Sequence, residues 1–207
     1  MYSLKFFVLC FVLATVCAAP RTSENVKITL YYEGLCPYCH NFVLNQLYPA
    51  YKKLGDAIAV ELIPYGNARR QLVEGKWIVT CQHGEEECYS NKVQACVLGL
   101  GHTTEQTLDF VNCLFTGEPD EKTAKQCSDK GKLDWTALST CIYGPQGDEF
   151  VLALAEKQEA LPEKVVYVPW ILINDEHNKD YEDRAYDDLV GVVCEILKGA
   201  PSACKGV

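Results

Sequence analysis

The sequence predicts an α/β fold that carries a helical, disulfide-bonded insertion, and three observations predict it. Apolar runs that suit strands stand at both ends of the chain, at residues 26–32, 57–63 and 165–173. A pair of cysteines two residues apart, Cys36-Pro37-Tyr38-Cys39, follows the first run at once. Between Cys81 and about Leu161 the strand pattern gives way to helical spacing, and most of the cysteines fall there.

Before the first strand, residues 1–19 read as a signal peptide: Lys5, an apolar run from Phe6 to Val16, and small residues Cys17-Ala18-Ala19 ahead of Pro20. The run is short for a spanning helix, which needs roughly 20 apolar residues, and no later segment is apolar enough to span. Residues 20–207 then form one domain with the insertion at about 81–161. Removing the leader takes Cys10 and Cys17 and leaves ten of twelve cysteines, an even number on an oxidising route where pairing is expected. The formal charge of -9 repels phosphate backbones and argues against nucleic acid as a partner. No Asn-x-Ser/Thr acceptor occurs, and the end, Cys204-Lys205-Gly206-Val207, is no ER-retention signal.

Val26, Ile28 and Leu30 alternate with polar residues and lead into Tyr31-Tyr32, the pattern of a first strand. Val43, Leu47, Tyr51 and Leu54 recur at helical spacing, with Pro49 a kink and Gly55 the stop. Ala57 to Ile63, ended by Pro64-Tyr65-Gly66, suits a buried strand parallel to the first, and Trp77 to Thr80 a short further one. In the middle stretch Val93, Cys96, Val97 and Leu100 mark one helix and Leu108, Val111 and Phe115 a second. A third has Asp134 as cap, Trp135, Leu138 and Ile142 on one face and Gly144-Pro145 after it; a fourth runs from about Phe150 to Ala160. The strand signal returns from Val165 to Ile173, interrupted by Pro169. A last helix has Asp187 and Asp188 near its start, Leu189, Val190, Val193 and Leu197 inward, and Lys198-Gly199 at its end.

The dithiol carries the chemistry. With Cys36 as helix cap, Pro37 takes the first helical position, where proline is favoured. Cys36 then faces unpaired N–H groups and the positive helix end, which lower its pKa from about 8.5. As the exposed thiolate it attacks a substrate disulfide, and Cys39, one turn on and partly buried, resolves the mixed disulfide. Spacing alone equally allows an inert structural bridge. The strand before, the amphipathic helix after and the returning strand with Pro169 favour catalysis, because together they resemble a thioredoxin-like unit. In that fold a cis proline faces the dithiol, which makes Val168 and Pro169 the expected substrate-binding pair.

A second cluster, Cys81-Gln82-His83-Gly84-Glu85-Glu86-Glu87-Cys88, continues to Asn91 and Cys96. Three thiols and an imidazole invite zinc, but zinc sites prefer cysteine pairs two to four residues apart, and no metal is expected here. His83 is either a surface histidine or one that tunes a neighbour. The pattern Cys-Gln-His-Gly, two residues, Glu-Cys, two residues, Asn, four residues, Cys resembles the signature of the gamma-interferon-inducible lysosomal thiol reductase family at every fixed position. Pro64-Tyr65-Gly66-Asn67-Ala68, Val168-Pro169-Trp170 and Cys194 extend the similarity.

That resemblance implies a thioredoxin-like fold with a helical, disulfide-bonded insertion. It also implies reduction of protein disulfides in acid, in the lysosome, with the redox role on Cys36 and Cys39 and a structural one for Cys81, Cys88 and Cys96. Two departures stand out: the spacer Pro37-Tyr38 is closer to glutaredoxin's, and the glycans some members use for delivery have no acceptor. The expected partners are unfolded disulfide-containing proteins and a small thiol reductant, with no bound cofactor and no membrane. Location in the lysosome or secretion both fit. Cys113, Cys127, Cys141, Cys194 and Cys204 join Cys81, Cys88 and Cys96 as disulfide cysteines whose connectivity is open among 105 pairings, with Cys194 and Cys204 near enough to be a candidate. The alternatives are an oxidase or isomerase of the same fold, and a secreted disulfide-stapled binding protein with an inert Cys36-Cys39 bridge.

Overall fold

The computed structural model describes residues 25–199 and 202–205; the leader at Met1 to Ala19 lies outside the described residues. Strand β1 (Val26–Tyr32) is the centre of a three-stranded sheet, parallel to β2 (Ile58–Pro64) and antiparallel to β5 (Trp170–Ile173). A separate hairpin, β3 (Arg69–Val73) with β4 (Lys76–Thr80), follows β2. Its two-residue turn is Glu74-Gly75, both at positive φ, the backbone that matches the twist of paired strands.

The dithiol helix is one continuous run in three parts: α1 (Pro37–Phe42), a π turn over Val43–Leu47, and α2 (Tyr48–Leu54). The Pro49 kink is thus taken up as a widened turn immediately before the proline, where a ring without an N–H crowds the carbonyl of the preceding turn. Gly55 ends α2 at φ 54. Five helices then come in succession: α3 (Glu85–Gly99), α4 (Thr104–Leu114), α5 (Glu121–Gly131), α6 (Trp135–Tyr143) and α7 (Pro145–Glu159), before β5 and α8 (Lys179–Ile196).

Alternation along β1 divides the core. Ile28, Leu30 and Tyr32 pack with Phe42, Val43 and Leu47 of the dithiol helix and with Leu189 and Val193 of α8. Tyr31 on the other face packs with Ile63, Trp170 and Leu172 and with Ala95 and Val151 of α3 and α7. The helical stretch has a core of its own around Val97, Phe110, Leu114, Leu138 and Ile142. Two disulfides cross it: Cys96–Cys141 joins α3 to α6, and Cys113–Cys127 joins α4 to α5. Cys81–Cys88 ties the end of β4 to α3, and Cys194–Cys204 ties the final turn to α8. With these thiols bonded to each other, none is left for the zinc reading.

Five expectations change, the first being that the helix expected from about Phe150 begins at Pro145, where proline suits the first helical position. The strand expected over 165–173 begins only after Pro169, which has no N–H for a ladder, and Val166 is exposed. Residues 69–73 form an unexpected strand, because Arg-Arg-Gln-Leu-Val lies almost wholly exposed and shows no apolar alternation. Helix α5 was also hidden, since it buries only Ala124, Cys127 and Ser128. The last helix starts at Lys179 under an Asn178 cap and kinks at Asp188, whose carboxylate caps the N–H of Gly191 at 2.8 Å, so Asp187-Asp188 mark the start of its second half.

Candidate active site

The end of β1 delivers the chain to the dithiol. Cys36 is the N-cap of α1, Pro37 the first helical residue, and the Cys36 Sγ accepts from the Cys39 N–H at 3.4 Å. Both thiols are free, in contrast to the eight paired cysteines. The hydrogen bond from the Cys39 thiol, with help from the Cys39 and Tyr38 backbone and the nearby charge of His83, brings Cys36 down to about 6 against the opposing effect of burial. Burial pushes the Cys39 thiol far up, and its interaction with Cys36 adds to this. One sulfur is set to be an anion while the other keeps its proton.

Cys36 is less open than the sequence suggested, with 5% of its surface exposed. It sits at the floor of a cleft of about 690 Å³ whose rim includes Tyr38, Arg69, Val166 and Tyr167. The peptide bond before Pro169 is cis, and the Val168 carbonyl accepts from the Cys36 thiol at 3.8 Å. Glu182 of α8 fixes this loop: its carboxylate accepts from the Ile171 N–H at 3.0 Å and from the Tyr167 hydroxyl at 2.5 Å. His177 stacks on Trp170, ring centres 3.7 Å apart, from the other side.

The second cysteine cluster forms the opposite wall, through Cys81, Gln82 and His83. Gly84 caps α3 at φ 88, a conformation that favours glycine. Asn91 accepts from the Gly34 N–H at 2.8 Å, holding the turn that precedes Cys36. A side chain at Gly34 would meet Ser90 Oγ at 2.4 Å, so the turn lies directly on α3. Gln82 accepts from the Asn67 side chain at 2.7 Å, and Asn67 in turn donates its backbone N–H to Glu33. His83, which is exposed, bonds Glu87 through Nδ1 and stands 3.7 Å from Glu33; both carboxylates are fully buried. Burial pushes Glu33 up to about 7, while Glu87 and Glu33 raise the proton affinity of His83. His83 is a surface histidine bonded to Glu87, as one of the two readings had it, and it also lines the cleft of the dithiol. Glu33 escaped notice in the sequence because a single acid after an aromatic strand carries no pattern; Gly66 is its one trace, since a Cβ there would meet Glu33 Cγ at 2.4 Å.

Known proteins resemble this chain in sequence and in fold. Residues 27–131 fit the family described as "Gamma interferon inducible lysosomal thiol reductase (GILT)". The chain is 38% identical to "Gamma-interferon-inducible lysosomal thiol reductase" of Carassius auratus, over 88% of this chain and 73% of that one. It is 32% identical to the protein of the same name in Mus musculus, over 89% and 74%. "GILT-like protein 1" of Drosophila melanogaster is 31% identical over 97% and 87%. Among solved structures, oxidised BdbD from Bacillus subtilis superposes with a TM-score of 0.60 at 16% identity, covering 86% of this chain and 90% of that one. DsbA of Chlamydia trachomatis also gives 0.60, at 13% identity over 96% and 99%. The fold is therefore thioredoxin-like, with helices α3 to α7 between β4 and β5. By sequence and fold together, the chain belongs to the gamma-interferon-inducible lysosomal thiol reductase family.

Proposed function

We propose that this thiol–disulfide oxidoreductase works as a reductase of protein disulfides, in an acidic compartment of the secretory route or after secretion. Cys36 is the nucleophile and Cys39 the resolving thiol. The observation that carries the reading is the division of labour between the two sulfurs: Cys36, capping α1, is held near 6, and Cys39 beneath it is held well above an ordinary thiol. Cys36 Sγ attacks one sulfur of the substrate disulfide and the other leaves as a thiol. Cys39 then loses its proton, attacks the mixed disulfide at Cys36 Sγ and releases the second substrate thiol, leaving Cys36–Cys39 oxidised. A small thiol donor returns the pair to the dithiol.

Acid makes this hard for an ordinary thiol. At about pH 4.5 a group near 6 is about 3% thiolate, roughly a thousandfold more than one at 9.0. The cleft supports an extended, unfolded substrate: Val168 and Pro169 offer backbone beside Cys36, and Tyr38, Val166 and Tyr167 place exposed apolar surface at the rim. The helices from 81 to 161 serve as the insertion that supplies the second wall. Among the described residues no helix is long and apolar enough to cross a membrane.

The test is reduction of a denatured disulfide-bonded protein at about pH 4.5 and about pH 7 with a thiol donor, beside Cys36→Ser and Cys39→Ser. The expected result is turnover in acid, none in Cys36→Ser, and a trapped mixed disulfide in Cys39→Ser. A folded Cys36→Ser variant with undiminished turnover, or a Cys39→Ser variant that never traps substrate, rules the mechanism out.

A further inference from the structure

We infer that Glu33, His83 and Glu87 form a zinc-binding site in the wall of the dithiol cleft. The donor atoms of the three side chains all lie within 4.8 Å of one another. They come from three places in the chain: the end of β1, the turn after β4, and the first turn of α3.

Each carboxylate has one oxygen already committed. Glu33 Oε1 accepts from the Asn67 N–H, and Glu87 Oε1 accepts from the His83 N–H at 3.1 Å. The second oxygens, both Oε2, point at the same atom, His83 Nδ1, at 3.7 Å from Glu33 and 2.5 Å from Glu87. That nitrogen carries at most one hydrogen and satisfies Glu87. Glu33 Oε2, on a side chain that is 0% exposed, is left buried with no hydrogen-bond partner. A buried carboxylate oxygen without a donor is costly, and buried charges are ordinarily paired or bound to metal.

Zinc suits this donor set. Bonds of about 2.1 Å in tetrahedral geometry separate neighbouring donors by about 3.4 Å. The two contacts at His83 Nδ1, 3.7 and 2.5 Å, bracket that spacing, so binding draws Glu33 in by about 0.3 Å and moves Glu87 out by about 0.9 Å. One imidazole and two carboxylates leave a fourth position for water or a sulfur, as in zinc sites with three protein ligands. Glu33, His83 and Cys36 line the same cleft, so the ion would sit beside the dithiol. This donor set differs from the cysteine cluster that first suggests zinc in the sequence, whose thiols are all in disulfides.

A dithiol binds zinc by itself, so the test removes it. The chain carrying Cys36→Ser with Cys39→Ser is titrated with cobalt(II) at about pH 7 and then back-titrated with zinc, following the visible absorption of four-coordinate cobalt. The expected result is one saturable site that zinc displaces. Adding His83→Ala, or separately Glu87→Gln, weakens it at least about tenfold with the fold intact by circular dichroism. Absence of saturable binding, or affinity unchanged by His83→Ala, overturns the site. Since the sulfurs are absent from the measurement, neither result bears on the reductase reading, which stands or falls on turnover.

Discussion

The low proton affinity of Cys36 sets how the reduction potential of the pair must change with pH. Its folded value is depressed, from 9.0 to about 6, so the thiolate stabilises the reduced protein above that value and the stabilisation is lost as pH falls through about 6. Against an unperturbed thiol the gain is about 1.4 kcal/mol at pH 7 and close to nothing at about pH 4.5. For a two-electron couple 1.4 kcal/mol is about 30 mV, so acidification from about pH 7 to about pH 4.5 raises the potential of this pair by about 30 mV less than it raises that of an ordinary dithiol, and the pair keeps more of its donor strength in acid. Below pH 6 two protons accompany two electrons and the potential changes by about 59 mV per pH unit; above it only one proton does, and the slope halves to about 30 mV. The assay is equilibration with glutathione buffers from about pH 4 to about pH 8, acid quenching, alkylation and mass spectrometry. A single steep slope through to pH 8 would refute the assignment of Cys36 as a stabilised thiolate.

Further consequences concern the walls of the site. The contribution of Glu33 to stability should fall as pH rises from about 4.5 to about 7, because burial raises its folded proton affinity and opposes its ionisation in the folded protein; Glu33→Gln should flatten that part of the urea-denaturation profile. Asn91→Ala removes the acceptor for the buried Gly34 N–H and should cost about 1–3 kcal/mol in denaturant titration. Replacing Cys96 and Cys141 by Ala opens a loop with a separation of 45 residues and should lower stability by about 4 kcal/mol, against nearer 3 for Cys194 and Cys204 with a separation of 10. Gly66→Ala, at φ 59 and facing Glu33 Cγ at 2.4 Å, should destabilise the fold and slow turnover together, measured by thermal melts and the reduction assay.

What could be read from the sequence was whatever a local pattern carries. The alternation of Val26 to Tyr32, the Cys36-Pro37 cap and the helical spacing of Val43 to Leu54 each follow from residues within a turn or two, and each is present. Where tertiary contact decides, the pattern failed. Arg69–Val73 is a strand because Trp77 and Ile78 pair back onto it and Arg70 is gripped by Glu156 and Glu159 of α7, at 3.1 and 2.6 Å. Nothing local to Arg-Arg-Gln announces that. Val165–Val168 reads as strand by composition, yet it leaves the sheet to form the lip over Cys36.

The second cysteine cluster shows how the two kinds of information meet. Read linearly, it gathers thiols and an imidazole and suggests a metal held by sulfur. In the fold, its cysteines diverge into two disulfides, one to the hairpin end and one across the helical core, and so fix α3 relative to the sheet. That leaves the polar members to face the dithiol: Asn91 holds the turn before Cys36, Gln82 holds Asn67, and Glu87 aims His83 at Glu33. The same sixteen-residue run, Cys81 to Cys96, thus has a structural part in its cysteines and a polar part that meets the cleft and the turn before Cys36. A substitution that breaks Cys81–Cys88 should therefore act on the dithiol at a distance, through the loss of His83 and Gln82 from the cleft wall.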